Sequence, residues 1–278
     1  MKILVTGAKG QLGTDVLDEL NKRNIDHKGV DIDDFDITDL NAVMTCLQEY
    51  KPNAVIHCAA YTAVDKAEDE SELCMKINKD GTENVAIACK KLDAEMIYIS
   101  TDYVFDGVGN VPFETDAQCA PLQVYGKSKL AGEEVVRQHL EKYYIVRISW
   151  VFGKRGNNFV KTMLRLAETR DELNVVSDQV GSPTYTPDLA VLLCEMLNSR
   201  KYGEYHATNE GFCSWAEFAE EIMEQSGSSC KVNPITTEEY PTKATRPKNS
   251  KLSKTSLDNA GFSRLPNWKD ALSRYLTN

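Results

Sequence analysis

Two side chains define the chemistry open to this chain. Tyr125 and Lys129 stand four residues apart in Tyr125-Gly126-Lys127-Ser128-Lys129. On a helix that spacing puts both on one face, one turn apart. A phenol beside an ammonium can hand a proton to a carbonyl that is receiving a hydride. The phenol has a reference pKa near 10, and the neighbouring charge is expected to favour the phenolate and lower that value. Lys129 would then steady the phenolate and hold the ribose next to the hydride donor. Thr101, in Ser100-Thr101-Asp102-Tyr103 at the end of an apolar run, is placed to hydrogen-bond the same substrate oxygen, because open α/β sheets bind ligands at the carboxyl ends of their strands. Alone, a tyrosine and a lysine at this spacing most often mark a solvated helix face.

A second motif separates this chain from that bland reading. Gly7, Gly10 and Gly13, in Thr6-Gly7-Ala8-Lys9-Gly10-Gln11-Leu12-Gly13, follow one apolar run and open a helical pattern. The first glycine permits a tight turn, the second lets the backbone approach a pyrophosphate, and the third lets helix and sheet pack closely. The helix N-terminus then faces the phosphates. The spacing is GxxGxxG, not the commoner GxGxxG. Asp31 ends the next strand pattern, where a carboxylate would bond an adenosine ribose 2′-OH. That charge repels a 2′-phosphate and favours NADH over NADPH, with Lys9 partly offsetting it. The competing reading makes Asp31 part of a solvated acidic run, Asp31–Asp36.

These groups need a scaffold, and the first half of the chain supplies one. Strand patterns at Lys2–Thr6, His27–Asp31, Ala54–Cys58, Glu95–Ser100 and Tyr144–Ser149 alternate with helical patterns at Leu12–Lys22, Asp39–Tyr50, Glu72–Leu92 and Tyr125–Lys142. Asp36 or Thr38 stands near the start of the second helix. Repeated β-α-β units imply an α/β fold, a Rossmann-type doubly wound parallel sheet. The second half is less regular. Helical patterns at Asn158–Thr169, Pro187–Ser199, Ser214–Gln225 and Trp268–Leu276 surround Pro234–Ser250, which lacks periodicity and reads as an ordered loop closing over a site. Ser214 with Glu217 reads as a capping box. The expected division is a dinucleotide-binding part, 1–150, with contributions from later helices and strands, and a smaller α/β part, 151–278, that mainly binds substrate.

Composition narrows the partners. The 278 residues carry a net charge of -10, which repels polyphosphate at long range and argues against extended nucleic-acid binding. One phosphorylated cofactor is still compatible, held by backbone amides. No apolar run reaches the roughly 18 residues a membrane helix needs, and the chain starts on a strand pattern without a signal peptide. The eight cysteines are scattered singly, which reads as reduced thiols in the cytoplasm. The four histidines lack metal-ligand spacing, so no metal site is expected, and His206, in a strand-like run, reads as packing. Trp150 reads from its surroundings as core or as a sugar-stacking ring. Arg246 is a candidate diphosphate clamp, because guanidinium meets phosphate oxygens bidentately; Asn158 and Lys161 are weaker candidates for that role.

The glycine loop, Ser100-Thr101 and the Tyr125/Lys129 pair, in this order, resemble the extended short-chain dehydrogenase/reductase family. The segments Ala59-Ala60-Tyr61-Thr62-Ala63-Val64-Asp65-Lys66-Ala67-Glu68, Ser149-Trp150-Val151-Phe152, Gly156-Asn157-Asn158-Phe159, Asp178-Gln179 with Gly181-Ser182-Pro183-Thr184, and Arg246-Pro247-Lys248-Asn249-Ser250-Lys251-Leu252 sharpen the resemblance to the branch that reduces dTDP-4-dehydrorhamnose. It covers nearly the whole chain. It implies reduction of the C4 keto group of dTDP-4-dehydro-β-L-rhamnose by NADH or NADPH. It also implies Tyr125 as proton donor with Lys129 as its partner, and contacts to the sugar from Thr101, Asp102 and Trp150. Gly10, Gln11, Leu12, Asp31, Asp36, Ile37, Ala60, Tyr61 and Thr62 would line the cofactor. His57-Cys58 stands where members of the branch often have Asn-Ala, under the nicotinamide. Two other readings share the motifs: a sugar-nucleotide epimerase that recycles a tightly held NAD, and a regulatory subunit that kept the fold without catalysis. The small-molecule partner is a nucleotide sugar. A homodimer is the expected assembly, and a magnesium requirement is left open.

Overall fold

The computed structural model describes residues 1–277. The short apolar runs of the first half become the strands of one parallel sheet: β1 (Lys2–Thr6), β2 (Asp26–Val30), β3 (Ala54–His57), β4 (Glu95–Thr101), β5 (Tyr143–Ile148) and, from the second half, β6 (Gly203–His206). Their spatial order is β6-β5-β4-β3-β1-β2, and every neighbouring pair is parallel. A sheet buried on both faces needs apolar residues at successive positions, not alternate ones. That is why Ile3, Leu4 and Val5 are all fully buried. Ile3, Val5, Ile56, Ile97 and Val146 face one layer, where Val16 and Leu20 of the Gln11–Lys22 helix meet Leu189 and Leu193 of the Thr186–Ser199 helix. Leu4, Val55, Met96 and Ile145 face the other, against Val43 and Leu47 of the Leu40–Tyr50 helix, Val85 and Cys89 of the Thr82–Leu92 helix and Val136 of the Val124–His139 helix. The doubly wound sheet expected from the strand–helix alternation is therefore present. The chain runs outward from β1 to β2 and then back across to β3, so the carboxyl ends of β1 and β3 flank a topological switch point.

Three boundaries differ from the periodicity. The Leu40–Tyr50 helix is capped by Asp39, whose Oδ1 accepts from the N–H groups of Asn41 and Ala42 at 2.9 and 3.3 Å, and not by Asp36 or Thr38. The stretch expected as one helix over Glu72–Leu92 is Ser71–Met75, a π-helical turn at Lys76–Gly81, and Thr82–Leu92. A widened turn of this kind is frequent at functional sites. Here it turns Asn78 inward, where its side chain bridges the backbone N–H and C=O of Tyr61 at 2.8 and 3.0 Å and donates to Ser128 Oγ at 2.9 Å. The Val124–His139 helix ends before the expected Lys142, because Leu140 turns into extended backbone.

Buried charge fixes that last helix. Arg147 on β5 is 1% exposed and grips Glu133 through two hydrogen bonds of 2.8 and 2.7 Å. Ser100 of β4 donates to the same carboxylate at 2.6 Å, and Glu204 of β6 accepts from Arg147 at 3.0 Å. The Glu133 carboxyl is held below its usual range although burial opposes this, because Arg147 bonds it and supplies the opposing charge. Breaking such a pair leaves an uncompensated buried charge, which costs about 3–5 kcal/mol.

The second half folds as short pairings around aromatic packing. Glu172–Val176 pairs with Lys231–Ile235, Val180–Gly181 lies between Cys213–Ser214 and Asn249–Ser250, and Val151–Phe152 pairs with Thr184–Tyr185. Phe152, Tyr185, Phe218, Trp268 and Tyr275 pack beneath them. Ser214 and Glu217 form the expected capping box. The Pro234–Ser250 stretch is ordered, as read, but by pairing at both ends and by ion pairs of Lys248 with Asp178 and Glu238. His206 packs edge-on against the Phe105 ring. No helix among the described residues is long and apolar enough to cross a membrane.

Candidate active site

A cleft of about 930 Å³ opens at the switch point, bounded by the loops that leave β1, β3, β4 and β5. Its nucleotide end is built from backbone. Gly7 has φ +65°, and a Cβ there would lie 2.6 Å from Ala59 N. A Cβ at Gly13 would lie 2.1 Å from the Gly7 carbonyl oxygen. No side chain caps the Gln11–Lys22 helix, whose N-cap is Gly10. Its first amides are therefore left to an outside acceptor, which suits a pyrophosphate. Asp31 borders the cleft just past β2. Its two oxygens take the backbone N–H groups of Lys9 and Ile32, each at 2.8 Å. The Lys9 ammonium is drawn to Asp33. Asp31 thus belongs both to the acidic run and to the site.

The reacting end is built from side chains. Tyr125 and Lys129 lie on the Val124–His139 helix, and Thr101 ends β4. Thr101 Oγ1 donates to Asp102 Oδ1 at 3.0 Å and accepts from the Tyr103 N–H at 3.2 Å, and the threonine lies beside the Tyr125 phenol. Tyr103 meets the Tyr125 ring edge-on at 5.8 Å. Lys129 is buried, with Nζ 4.0 Å from the centre of the Tyr98 ring. Burial pushes its ammonium down to about 7 while Glu133 pulls it up. The Tyr125 phenol is pushed well above its usual value by burial and by the Asp102 charge, with Thr101 opposing them. The lowering expected from the lysine is therefore not what this site shows: burial raises the phenol instead. Burial also raises the Asp102 carboxyl to about 6, with Ser250 and Thr101 opposing it.

The cleft brings together most residues read from the motifs. Gly7, Gly10, Gln11, Leu12, Gly13, Asp31, Asp36, Ile37, Ala60, Thr62, Thr101, Asp102, Tyr125, Lys129 and Trp150 all border it. Tyr61 does not: its hydroxyl turns away to Glu70 at 2.6 Å. Asn158 does not: it caps the Phe159–Ala167 helix. Arg246 does not border it either: its guanidinium pairs with Asp65 at 2.5 Å, near Tyr103, which does line the cleft. His57 is fully enclosed below the floor between Thr6 and Thr82, at 2.7 and 3.1 Å, and stacks on Tyr98. Burial holds it neutral, at about 3. Trp215 was not singled out from the sequence. It borders the cleft and stacks on Trp150 with centroids 3.7 Å apart. Nothing in its sequence setting, directly after the Ser214 cap, marked it as facing a cleft.

A parallel sheet with a switch-point cleft, a glycine turn ahead of a bare helix N-terminus, and a threonine, tyrosine and lysine at its reacting end define an oxidoreductase of the extended short-chain dehydrogenase/reductase class. Within that class the chain belongs to the family described as RmlD substrate binding domain, whose model matches residues 1–278. It is 43% identical to the spore coat polysaccharide biosynthesis protein SpsK of Bacillus subtilis, over 99% of this chain and 96% of that one. A crystal structure of dTDP-4-dehydrorhamnose reductase from Bacillus anthracis in complex with NADP is 44% identical, with a TM-score of 0.97 over 99% of this chain and 98% of that one. One from Clostridium acetobutylicum is 46% identical, with a TM-score of 0.98 over 100% and 99%.

Proposed function

We propose that this chain reduces the C4 keto group of dTDP-4-dehydro-β-L-rhamnose to dTDP-β-L-rhamnose in the making of a surface polysaccharide. The observation that carries the reading is the meeting of Thr101, Tyr125 and Lys129 at one end of a cleft whose other end is the glycine turn ahead of a bare helix N-terminus. The glycine turn, Asp31 and the Ala60–Thr62 loop would hold a nicotinamide cofactor, which supplies the hydride. Tyr125 gives its proton to the C4 oxygen as negative charge develops there, and Thr101 donates to that oxygen once its hydroxyl turns from Asp102. Lys129, buried one helical turn from Tyr125, would offer an ammonium that stabilises the phenolate as it forms. Asp102 and Trp150 hold the sugar, and Arg246 clamps the diphosphate after leaving Asp65. Residues 1–150 form the nucleotide part, completed by the Thr186–Ser199 helix and β6, and residues 151–278 mainly the substrate part.

Asp31 favours NADH. The NADP bound by the Bacillus anthracis relative supports acceptance of both cofactors. The expected setting is the cytoplasm, and the expected assembly is a homodimer, which light scattering on the purified protein checks. Oxidation of NADH and NADPH with enzymatically made dTDP-4-dehydrorhamnose tests the activity. Turnover with formation of dTDP-rhamnose is the expected outcome. Product isomerised at C4 with no net cofactor consumption would instead show an epimerase.

A further inference from the structure

Asn158 lies outside the cleft, yet it spends its hydrogen-bonding capacity on a connection between the two ends of it. Its Nδ2 donates to Gln11 Oε1 at 3.0 Å and to the Gly153 carbonyl at 2.7 Å. Its Oδ1 accepts from the Lys161 N–H at 3.0 Å and so caps the Phe159–Ala167 helix. The Tyr275 hydroxyl reaches it as well. Gln11, the first residue of the uncapped helix behind the glycine turn, returns a second bond from Nε2 to Asn157 O at 3.2 Å. The loop 153–158 is thereby laid on the nucleotide end, and Gly156 adopts φ +63° directly over Gln11.

The other side of the connection is aromatic. Phe159, the residue after Asn158, packs on Trp215 with centroids 4.6 Å apart. Trp215 stacks on Trp150 at 3.7 Å. Trp150 is held at φ +50°, a conformation that a bulky residue adopts only under external constraint. Behind it a Cβ at Gly181 would lie 2.9 Å from the indole. The indole is therefore confined between Gly181 and the Trp215 ring.

We propose that Asn158 is a positioning residue that couples the cofactor's end of the cleft to the indole wall of the sugar's end. Occupancy at Gln11 fixes the loop 153–158, the loop fixes the cap of the Phe159–Ala167 helix, and Phe159 fixes the Trp215–Trp150 stack. A pyridine nucleotide bound first thus presets the wall for the nucleotide sugar, and by reciprocity the sugar nucleotide tightens the cofactor by the same factor. The proposal rests on the assignment of the glycine turn to the cofactor and of Trp150 to the sugar.

Asn158→Asp separates capping from coupling. It keeps an acceptor for the Lys161 N–H but turns an oxygen toward Gln11 Oε1 and the Gly153 carbonyl, where an amine stood. In the native protein NADP⁺ alone should change the near-ultraviolet circular dichroism of the stacked indoles and tighten dTDP about fivefold or more, within the usual range of such couplings. In Asn158→Asp both effects should vanish while NADP⁺ still binds and the thermal midpoint stays close to native. Asn158→Ser, which also caps, should behave alike and replaces the aspartate variant if that one does not fold. Retention of the indole signal and of the dTDP effect in either folded variant overturns the proposal, as does a native protein in which NADP⁺ produces neither. Neither ligand is turned over, and the indole signal needs no sugar nucleotide, so failure of the proposed reduction would leave this test standing.

Discussion

The two ends of the cleft are made of different material. At the nucleotide end the ligand would meet backbone: amides of an uncapped helix and glycines whose missing side chains leave the space. At the sugar end it would meet side chains drawn from distant parts of the chain, with Thr101 on β4, Tyr125 on a helix, Trp150 after β5 and Trp215 at the start of another helix. A backbone site tolerates little change and accepts any ligand with the right phosphates. A side-chain site can be altered one residue at a time, and each alteration should change substrate use more than cofactor use.

The largest expected effect tests the chemistry of the side-chain end. Tyr125→Phe keeps the ring and removes the proton, so kcat should fall about 10²–10⁴-fold, the worth of general acid catalysis. NADPH binding, followed by fluorescence, should barely move; near-native turnover would remove Tyr125 from the mechanism. Next comes capture of the diphosphate. Arg246→Ala should raise KM for the sugar nucleotide about ten- to hundredfold, because a charged hydrogen bond contributes about 1.5–3 kcal/mol. If NADH affinity falls instead and the sugar KM holds, Arg246 serves the cofactor and the contrast between the two ends fails there.

A third measurement probes the floor shared by both ends. His57 titrates at about 3 in the folded protein, against roughly 6.5 when unfolded. The unfolded chain therefore binds the extra proton first. Stability from this group is complete above about pH 6.5 and is lost as pH falls toward 3, at about 1.4 kcal/mol per pH unit. His206, held neutral by burial at about 3 as well, adds a second such slope. Asp102 opposes them between its unfolded value and about 6, where the folded state binds more protons. In urea titrations His57→Asn should flatten the fall in stability between pH 6.5 and 4.5, and an unchanged slope would mean that the histidine is already charged. The smallest effect is expected at the backbone end. Asp31→Ala should shift the NADH/NADPH preference toward NADPH by about 1 kcal/mol, the low end for a charged hydrogen bond, because both carboxylate oxygens already serve backbone N–H groups. An unchanged ratio would move cofactor recognition to Asp36.

The same contrast decides what was legible in the sequence. Glycines at Gly7, Gly10 and Gly13 announce a backbone shape, and a Tyr125/Lys129 spacing announces a helix face, so both could be read locally. β1, β3, β4 and β5 were legible because a strand buried on both faces is apolar at successive positions, while the edge strand β2, Asp-His-Lys-Gly-Val, showed a weaker pattern because it is only partly covered. β6, reading Gly-Glu-Tyr-His, was legible as a strand-like run at His206, but its place at the sheet edge was not, because that depends on pairing with β5 and on the Arg147–Glu204 contact. The π-helical turn at Lys76–Gly81 was invisible because Asn78 widens the helix to reach Tyr61 and Ser128, both far away in sequence. Trp215 was missed for a similar reason: a tryptophan after a helix cap looks the same whether it fills core or faces a cleft. The direction of the Tyr125 shift was misread because spacing reveals the nearby lysine but not the burial of the phenol.

β6 and the Thr186–Ser199 helix lie after the proposed boundary at residue 150, yet they complete the six-stranded sheet and the layer over its first helix. The polypeptide therefore returns to its first half after it has begun its second. A shuffled gene that joined residues 1–150 to a foreign substrate module would leave β5 as a raw edge and Arg147 without Glu204. Lineages with this architecture are thus confined to remodelling the sugar end in place, loop by loop. Exchange of whole cassettes is open only to proteins whose two halves are each contiguous.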